Sequence, residues 1–366
     1  MKPASLHSPN WLRRVLGAAG LCYLLYLCGG SGGAGPRAAP TLDAPAAAGA
    51  EAPAEFCRDL PSLLAGRWRV AAGTASAPPS LLAWEPALGG CQGAPSGALV
   101  PLAALRGRKL ALVGDSVTRY MMVDLASELF ACAWLGWDGA FCSPAAAPPA
   151  SGASPACALL HAFACTGNKH ADLLLTDGET TLSFVWVTTA EDLTHGSFRG
   201  VLGDAAVDAT AVSLGFWDVA IKTEGAGKSV AHHCAWMLSH VQAMLADALA
   251  GRPPGWPGLQ PSRVIFWQPP FTEPLNKNHE RIPRGDLEVV NGCTASALTP
   301  LGLELINTSD VLDLPPSTFA ELLRWEARDP QMGALLTMEG YHPRREVRRV
   351  LLNALLLYLS QAWGES

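Results

Sequence analysis

None of the ten cysteines forms a Cys-x-x-Cys pair, which removes the zinc ribbons and thioredoxin-like motifs built on that spacing. Charge is also sparse, at 16% of residues with a net value of -6, and no basic stripe carries interleaved aromatics. Nucleic acid is therefore excluded as a partner. No Cys/His/Asp set completes a metal site. His232, His233 and His240 come nearest, with His233 and His240 able to share a helix face, but they read as solvated or capping groups. The first fourteen residues hold Lys2, Arg13 and Arg14 and no acid. Residues 36–55 have almost no large apolar side chain and read as a disordered stem.

An apolar segment at 15–35 separates these two stretches, with basic residues before it and few after. That asymmetry places the N-terminus in the cytosol. The segment reads as the signal anchor of a single-pass type II membrane protein, or as a signal peptide cleaved among the small residues near 33–39. Both deliver the remaining chain to the secretory lumen. Setting aside Cys22 and Cys28 in the apolar segment, the cysteines form an even set: Cys57, Cys91, Cys132, Cys142, Cys157, Cys165, Cys234 and Cys293. Such a set points to disulfides in an oxidising compartment, with the pairing open. Asn307-Thr308-Ser309 is a glycosylation sequon that suits a lumenal body.

With 366 residues and 49% hydrophobic content, the chain can bury one large core or two modest ones. Residues 56–104 read as a loop-rich cap carrying two of the twelve tryptophans, Trp68 and Trp84, and 105–366 as the main domain. Tryptophan often lines carbohydrate clefts, though core packing is its ordinary use. The main domain opens on Leu110-Ala111-Leu112-Val113, a short buried strand broken by Gly114-Asp115-Ser116. Met121, Met122, Leu125 and Leu129 then follow at helical spacing. A sharp strand-to-helix turn exposes one side chain beside free backbone N–H groups, where a nucleophilic serine and half an oxyanion hole can be built together. Ser116 is the candidate nucleophile.

Further strands are expected at 171–175, 181–187, 209–214, 263–268 and 311–314. Helices are expected at 228–249, at 319–325, and from Pro343 to about Ala362, with Pro343 in the first turn. Residues 138–157 read as a surface insertion. Alternating strands and helices imply an α/β fold with a mostly parallel sheet covered on both faces, and a site at the strands' carboxyl ends.

Ser116 needs a base, and the base a carboxylate to orient it. Glu339-Gly340-Tyr341-His342 supplies both just ahead of the last helix, with Asp313 as another acid. The Ser116 N–H is one oxyanion donor. Asn168, after Gly167, is a further candidate. Arg344, Arg345, Arg348 and Arg349 beside His342 read as a solvated face, or as a cluster steering an acidic glycan.

Gly114-Asp115-Ser116 with a terminal acid-x-x-His resembles the SGNH/GDSL superfamily. The stretch Cys57, Gly66-x-Trp68, Trp84-x-Pro86, Cys91 is similar to the preamble of its PC-esterase branch, which includes the plant trichome birefringence-like polysaccharide O-acetyltransferases and the sialic acid O-acetyltransferase domain. The resemblance implies a three-layer α/β/α fold. Ser116 would be the nucleophile, His342 the base and then the acid, and position 339 the orienter. Gly114, Asp115, Arg119 and Trp217 would support the motif. It implies a Golgi or other secretory-pathway O-acyltransferase, with an acetyl donor as co-substrate, a glycan or polysaccharide acceptor and no bound cofactor. An esterase with the same residues and a catalytically impaired glycan-binding protein are the other readings. Two positions depart from the family: Glu339 stands where the pattern has Asp, and Ser213 where it has Asn. The Ser213 side chain is thus a doubtful oxyanion donor, while the Gly215 N–H still fits.

Overall fold

A computed structural model of the protein describes residues 60–70, 82–85, 100–132, 154–166, 171–204, 206–220, 229–252, 260–268, 282–308, 311 and 342–364. The tail, the apolar segment at 15–35, the stem and the expected helix at 319–325 lie outside the described residues. No helix among the described residues is long and apolar enough to cross a membrane.

A short helix α1 (Leu60–Leu64) precedes an antiparallel pair, β1 (Arg67–Val70) and β2 (Leu82–Glu85), in which Trp68 is registered against Trp84. The two indoles meet edge to face at 5.1 Å. Trp68 donates to the Val311 carbonyl at 2.6 Å and Trp84 to the Leu63 carbonyl at 2.8 Å. Each ring thus buries its apolar body while its one donor finds an acceptor.

The main sheet has β3 (Lys109–Gly114), β4 (Leu173–Asp177), β5 (Thr180–Trp186), β6 (Ala209–Ser213), β7 (Val264–Trp267) and β8 (Glu304–Ile306) in the order β4-β5-β3-β6-β7-β8. Every neighbouring pair is parallel except β4 with β5. The α/β class with a mostly parallel sheet is as the sequence implies. Of the expected strand at 311–314 only Val311 is described, and it is not in a strand; the last strand among the described residues is β8, which sequence reading passed over.

Leu110 and Leu112 pack on one side of the sheet with α2 (Ser116–Leu129), α3 (Pro155–His161) and the C-terminal helix. Val113, Val212 and Phe266 pack on the other with α4 (Gly196–Gly203) and the segment 230–249. Of the expected surface insertion at 138–157 only the end is described, and it is not loop: α3 begins at Pro155, and Cys157 is buried and bridged to Cys132. After α5 (Phe216–Ala220), the expected single helix at 228–249 is α6 (Val230–Trp236) and α7 (Gln242–Leu249), joined by a π turn at Met237–Val241. The π turn changes the angular register, so His233 is fully buried while His240 is exposed. Two further helices are α8 (Arg284–Leu298) and α9 (Arg345–Ala362). Pro343 stands ahead of α9 rather than in its first turn, and its carbonyl accepts from Arg348.

From β3 the chain crosses to β5 on one side, whereas β6 continues to β7 on the other. The loops leaving β3 and β6 therefore diverge and open a crevice at the sheet's carboxyl edge. Gly114 and Ser213 are the paired last residues of those strands.

Candidate active site

The turn from β3 into α2 admits no side chain at position 114. A Cβ on Gly114 would stand 2.5 Å from the Ser213 carbonyl and 2.9 Å from the Thr118 Cβ. Glycine here lets β3, β6 and α2 meet closely enough for Ser116 to start the helix directly at the strand's end. Asp115 caps that helix, its Oδ1 accepting from the Val117 N–H at 2.9 Å. Ser116 then holds the first helical position, where backbone N–H groups lack intrahelical acceptors.

Ser116 Oγ lies 2.6 Å from His342 Nε2, across 226 residues of chain. Both side chains are half-buried, so the pair is shielded yet reachable. The Tyr120 ring, one turn along α2 from Ser116, stands edge to face against the imidazole at 5.2 Å and 84°. Ser116 also borders a small, mostly apolar cleft lined by Val117, Phe216, Trp217, Ala220 and Ile282. Such a hydroxyl–imidazole pair can pass a proton while the oxygen attacks an electrophile.

Gly215 lies between β6 and α5, at a φ of 129° that favours glycine, directly before the cleft residues Phe216 and Trp217. Ser213 is buried at the end of β6 beside Gly114. Glu339, Asp313 and Asn168 lie outside the described residues. Arg119 is buried on the far side of the turn, donating to the Phe163 carbonyl at 2.7 Å and stacking over that ring at 4.7 Å. Its role is to pack α2 rather than to face the cleft. Asn307 is exposed just after β8.

Burial pushes the Asp115 carboxyl up to about 6, opposed by the Val117 N–H and by charge on His342. A folded-state value above the unfolded 3.8 means that the folded protein holds this proton more tightly. The stability it contributes is fully present below about 3.8 and is lost as pH rises through about 6. Asp115→Asn, which keeps the capping oxygen, should therefore gain stability relative to the parent between pH 4.5 and pH 8, by about 2 kcal/mol. Thermal melts of both proteins at the two pH values measure this. A pH-independent difference would refute it.

Two of the four arginines beside His342 are buried rather than solvated. Arg348 is fully buried against Asp124 of α2, and Arg349 is paired with Glu128. Arg345 is exposed, 3.8 Å from Glu128. Two acids on α2, Asp124 and Glu128, thus face three of the four arginines, and Arg344 is half-buried just ahead of α9. Glu128 follows Asp124 at i+4, the spacing that could have signalled a partner face.

His233 is likewise neither solvated nor a cap. Its Nδ1 donates to Asp218 Oδ2 at 2.7 Å, and its Nε2 lies 3.2 Å from Thr294 Oγ1. This carboxylate–imidazole–hydroxyl set copies the connectivity of a triad, but His233 and Asp218 are wholly buried and no substrate reaches them. It joins α5, the cleft's helix, to α6 and α8, beside the Cys234–Cys293 disulfide. Cys132–Cys157 is the other bridge among the described residues. His232 lies 3.5 Å from Glu191 and stacks on Trp236, which in turn contacts His240. No group of three or more His, Cys, Asp or Glu able to hold a metal occurs among the described residues.

No family model and no curated protein matches the sequence. Among solved structures, it is similar to a lipase/acylhydrolase from Enterococcus faecalis, with 12% identity over 68% of this chain and 93% of that one and a TM-score of 0.35. A catalytic mutant of an acetylxylan esterase from Geobacillus stearothermophilus gives 14% identity over 69% and 94%, with a TM-score of 0.35. An extracellular lipase from Streptomyces rimosus gives 17% over 64% and 92%, with a TM-score of 0.30. Likenesses of that size assign neither substrate nor reaction to this chain.

Proposed function

We propose that this protein is a serine acyl-enzyme of the secretory pathway, of the SGNH type, that transfers an acetyl group to a glycan hydroxyl. The observation that carries the reading is the 2.6 Å approach of Ser116 Oγ to His342 Nε2 at the carboxyl edge of a parallel sheet. Ser116 gives its proton to His342 as Oγ attacks the carbonyl carbon of the acyl donor. Charge on the carbonyl oxygen falls to the Ser116 N–H and the Gly215 N–H, each worth about 100- to 1,000-fold in rate. The leaving group takes the proton from His342, and an ester remains on Ser116. An acceptor hydroxyl then gives its proton to His342 and attacks that ester, and His342 returns the proton to Ser116 Oγ as the bond to the acyl group breaks. Glu339 is the proposed orienter of His342.

The two disulfides among the described residues support an oxidising compartment. The segment at 15–35 is the proposed membrane anchor, which would hold the domain on the lumenal side, in the Golgi. The apolar lining of the cleft favours a short acyl chain over a charged group.

Incubation of the purified lumenal part with a labelled acetyl donor and a glycan panel tests the proposal. Label is expected on a glycan hydroxyl. Release of label only as acetate would replace the transferase by an esterase. Absence of serine labelling by a fluorophosphonate would leave a glycan-binding protein without acyl chemistry.

A further inference from the structure

Ser116, Tyr120 and Asp124 recur every four residues and so share one face of α2. The Arg348 side chain of α9 is 0% exposed and reaches all the way to that face. Its Nε donates to Asp124 Oδ2 at 2.5 Å, and its Nη1 donates to the Pro343 carbonyl at 2.6 Å. The guanidinium carbon stands 5.6 Å from the centre of the Tyr120 ring, whose edge-on neighbour is His342. One buried cation thus touches the helix that carries Ser116, the residue after His342, and the ring that walls the imidazole.

Stability is a weak reason to keep such a group. Stripping water from a buried ion pair costs about as much as the pair returns, and apolar residues of similar size are often as stable. What a guanidinium adds is direction, since its planar fork fixes two acceptors at set angles. Here the acceptors belong to the two segments that must bring Oγ and Nε2 together. We infer that Arg348, anchored by Asp124, is a positioning residue that sets the register of the His342 loop against the Ser116 helix. The inference deepens the proposed acyl-enzyme and rests on it for its catalytic consequence. An offset of about 1 Å between reacting groups is enough for a loss on the order of 100-fold.

The test uses the double variant Asp124→Leu/Arg348→Met, which removes both charges together and leaves neither buried alone. Two readouts are taken on folded protein. The first is the nitrogen NMR shift of the His342 imidazole with and without Ser116→Ala, which reports the Oγ–Nε2 hydrogen bond whether or not the protein is an enzyme. In the parent, Ser116→Ala should move that shift; in the double variant it should move it little. An undiminished response would overturn the inference. The second is the rate of fluorophosphonate labelling of Ser116, normalised to folded protein. It should fall by about 10- to 100-fold, with an unchanged concentration for half-maximal rate. A parental rate in the double variant would overturn the inference. A parent that never labels would instead remove the acyl-enzyme reading, and the NMR comparison would still decide the positioning role. If the double variant does not fold, Arg348→Lys keeps the charge and loses the fork. It should weaken both readouts partially, and parental values in both would overturn the inference.

Discussion

Replacing His342 with alanine should slow acyl transfer by roughly 10,000- to 1,000,000-fold, and Ser116→Ala by as much, while the double variant should be no worse than either single. The expectation follows from how the pair works. A serine hydroxyl is a poor nucleophile until a base takes its proton, and an imidazole 2.6 Å from it is placed to take it. Remove either partner and the other loses its role, so the effects do not add. What survives is whatever the backbone N–H groups and substrate binding supply. Rates of fluorophosphonate labelling for His342→Ala, and of acetyl transfer for all three variants, measure this. Near-parental labelling of His342→Ala would show that Ser116 is not activated by this imidazole.

The largest stability loss is expected not at the cleft but behind it. His233→Leu leaves the Asp218 carboxylate fully buried, with the Ala190 N–H at 3.3 Å still donating to it. Breaking a buried pair from one side costs about 3–5 kcal/mol, because the remaining charge is stranded in a low dielectric. For a chain of this size that corresponds to a fall in Tm of roughly 4–8 °C. Asp218→Leu/His233→Leu should recover part of the loss, since no charge is then stranded. The Cys234–Cys293 disulfide still ties α6 to α8 in each variant, so the comparison is made without reductant. Equal melting of His233→Leu and the parent would show that the pair contributes nothing to stability. Phe216 and Trp217 share α5 with Asp218, so labelling of Ser116 should also respond if α5 shifts.

What could be read in advance was local. The buried run ending in Gly-Asp-Ser identifies β3 and the start of α2, because punctuation of an apolar run is a signal within a dozen residues. The step from Tyr341-His342-Pro343 into α9 is visible for the same reason. The misses have physical causes. In α8 the buried stripe is Leu287, Val290, Asn291, Thr294, Ala297 and Leu298, a helical spacing in which two polar members mask the periodicity. One of them, Thr294, contacts His233. β8 has only three residues, with Glu304 exposed. Arg348 looked solvated because its acid lies 224 residues upstream, a distance no local pattern spans. His233 looked solvated because its carboxylate sits on the next helix back and the π turn that separates it from His240 leaves no mark in composition.

The Cys132–Cys157 bridge closes just beyond the last turn of α2, at a separation of 25 residues. It ties the end of α2 to α3 by a covalent bond as well as by packing. The helix that begins at Ser116 is thus pinned at both ends, by the close approach at Gly114 and by this bridge, and reduction would release only the far one.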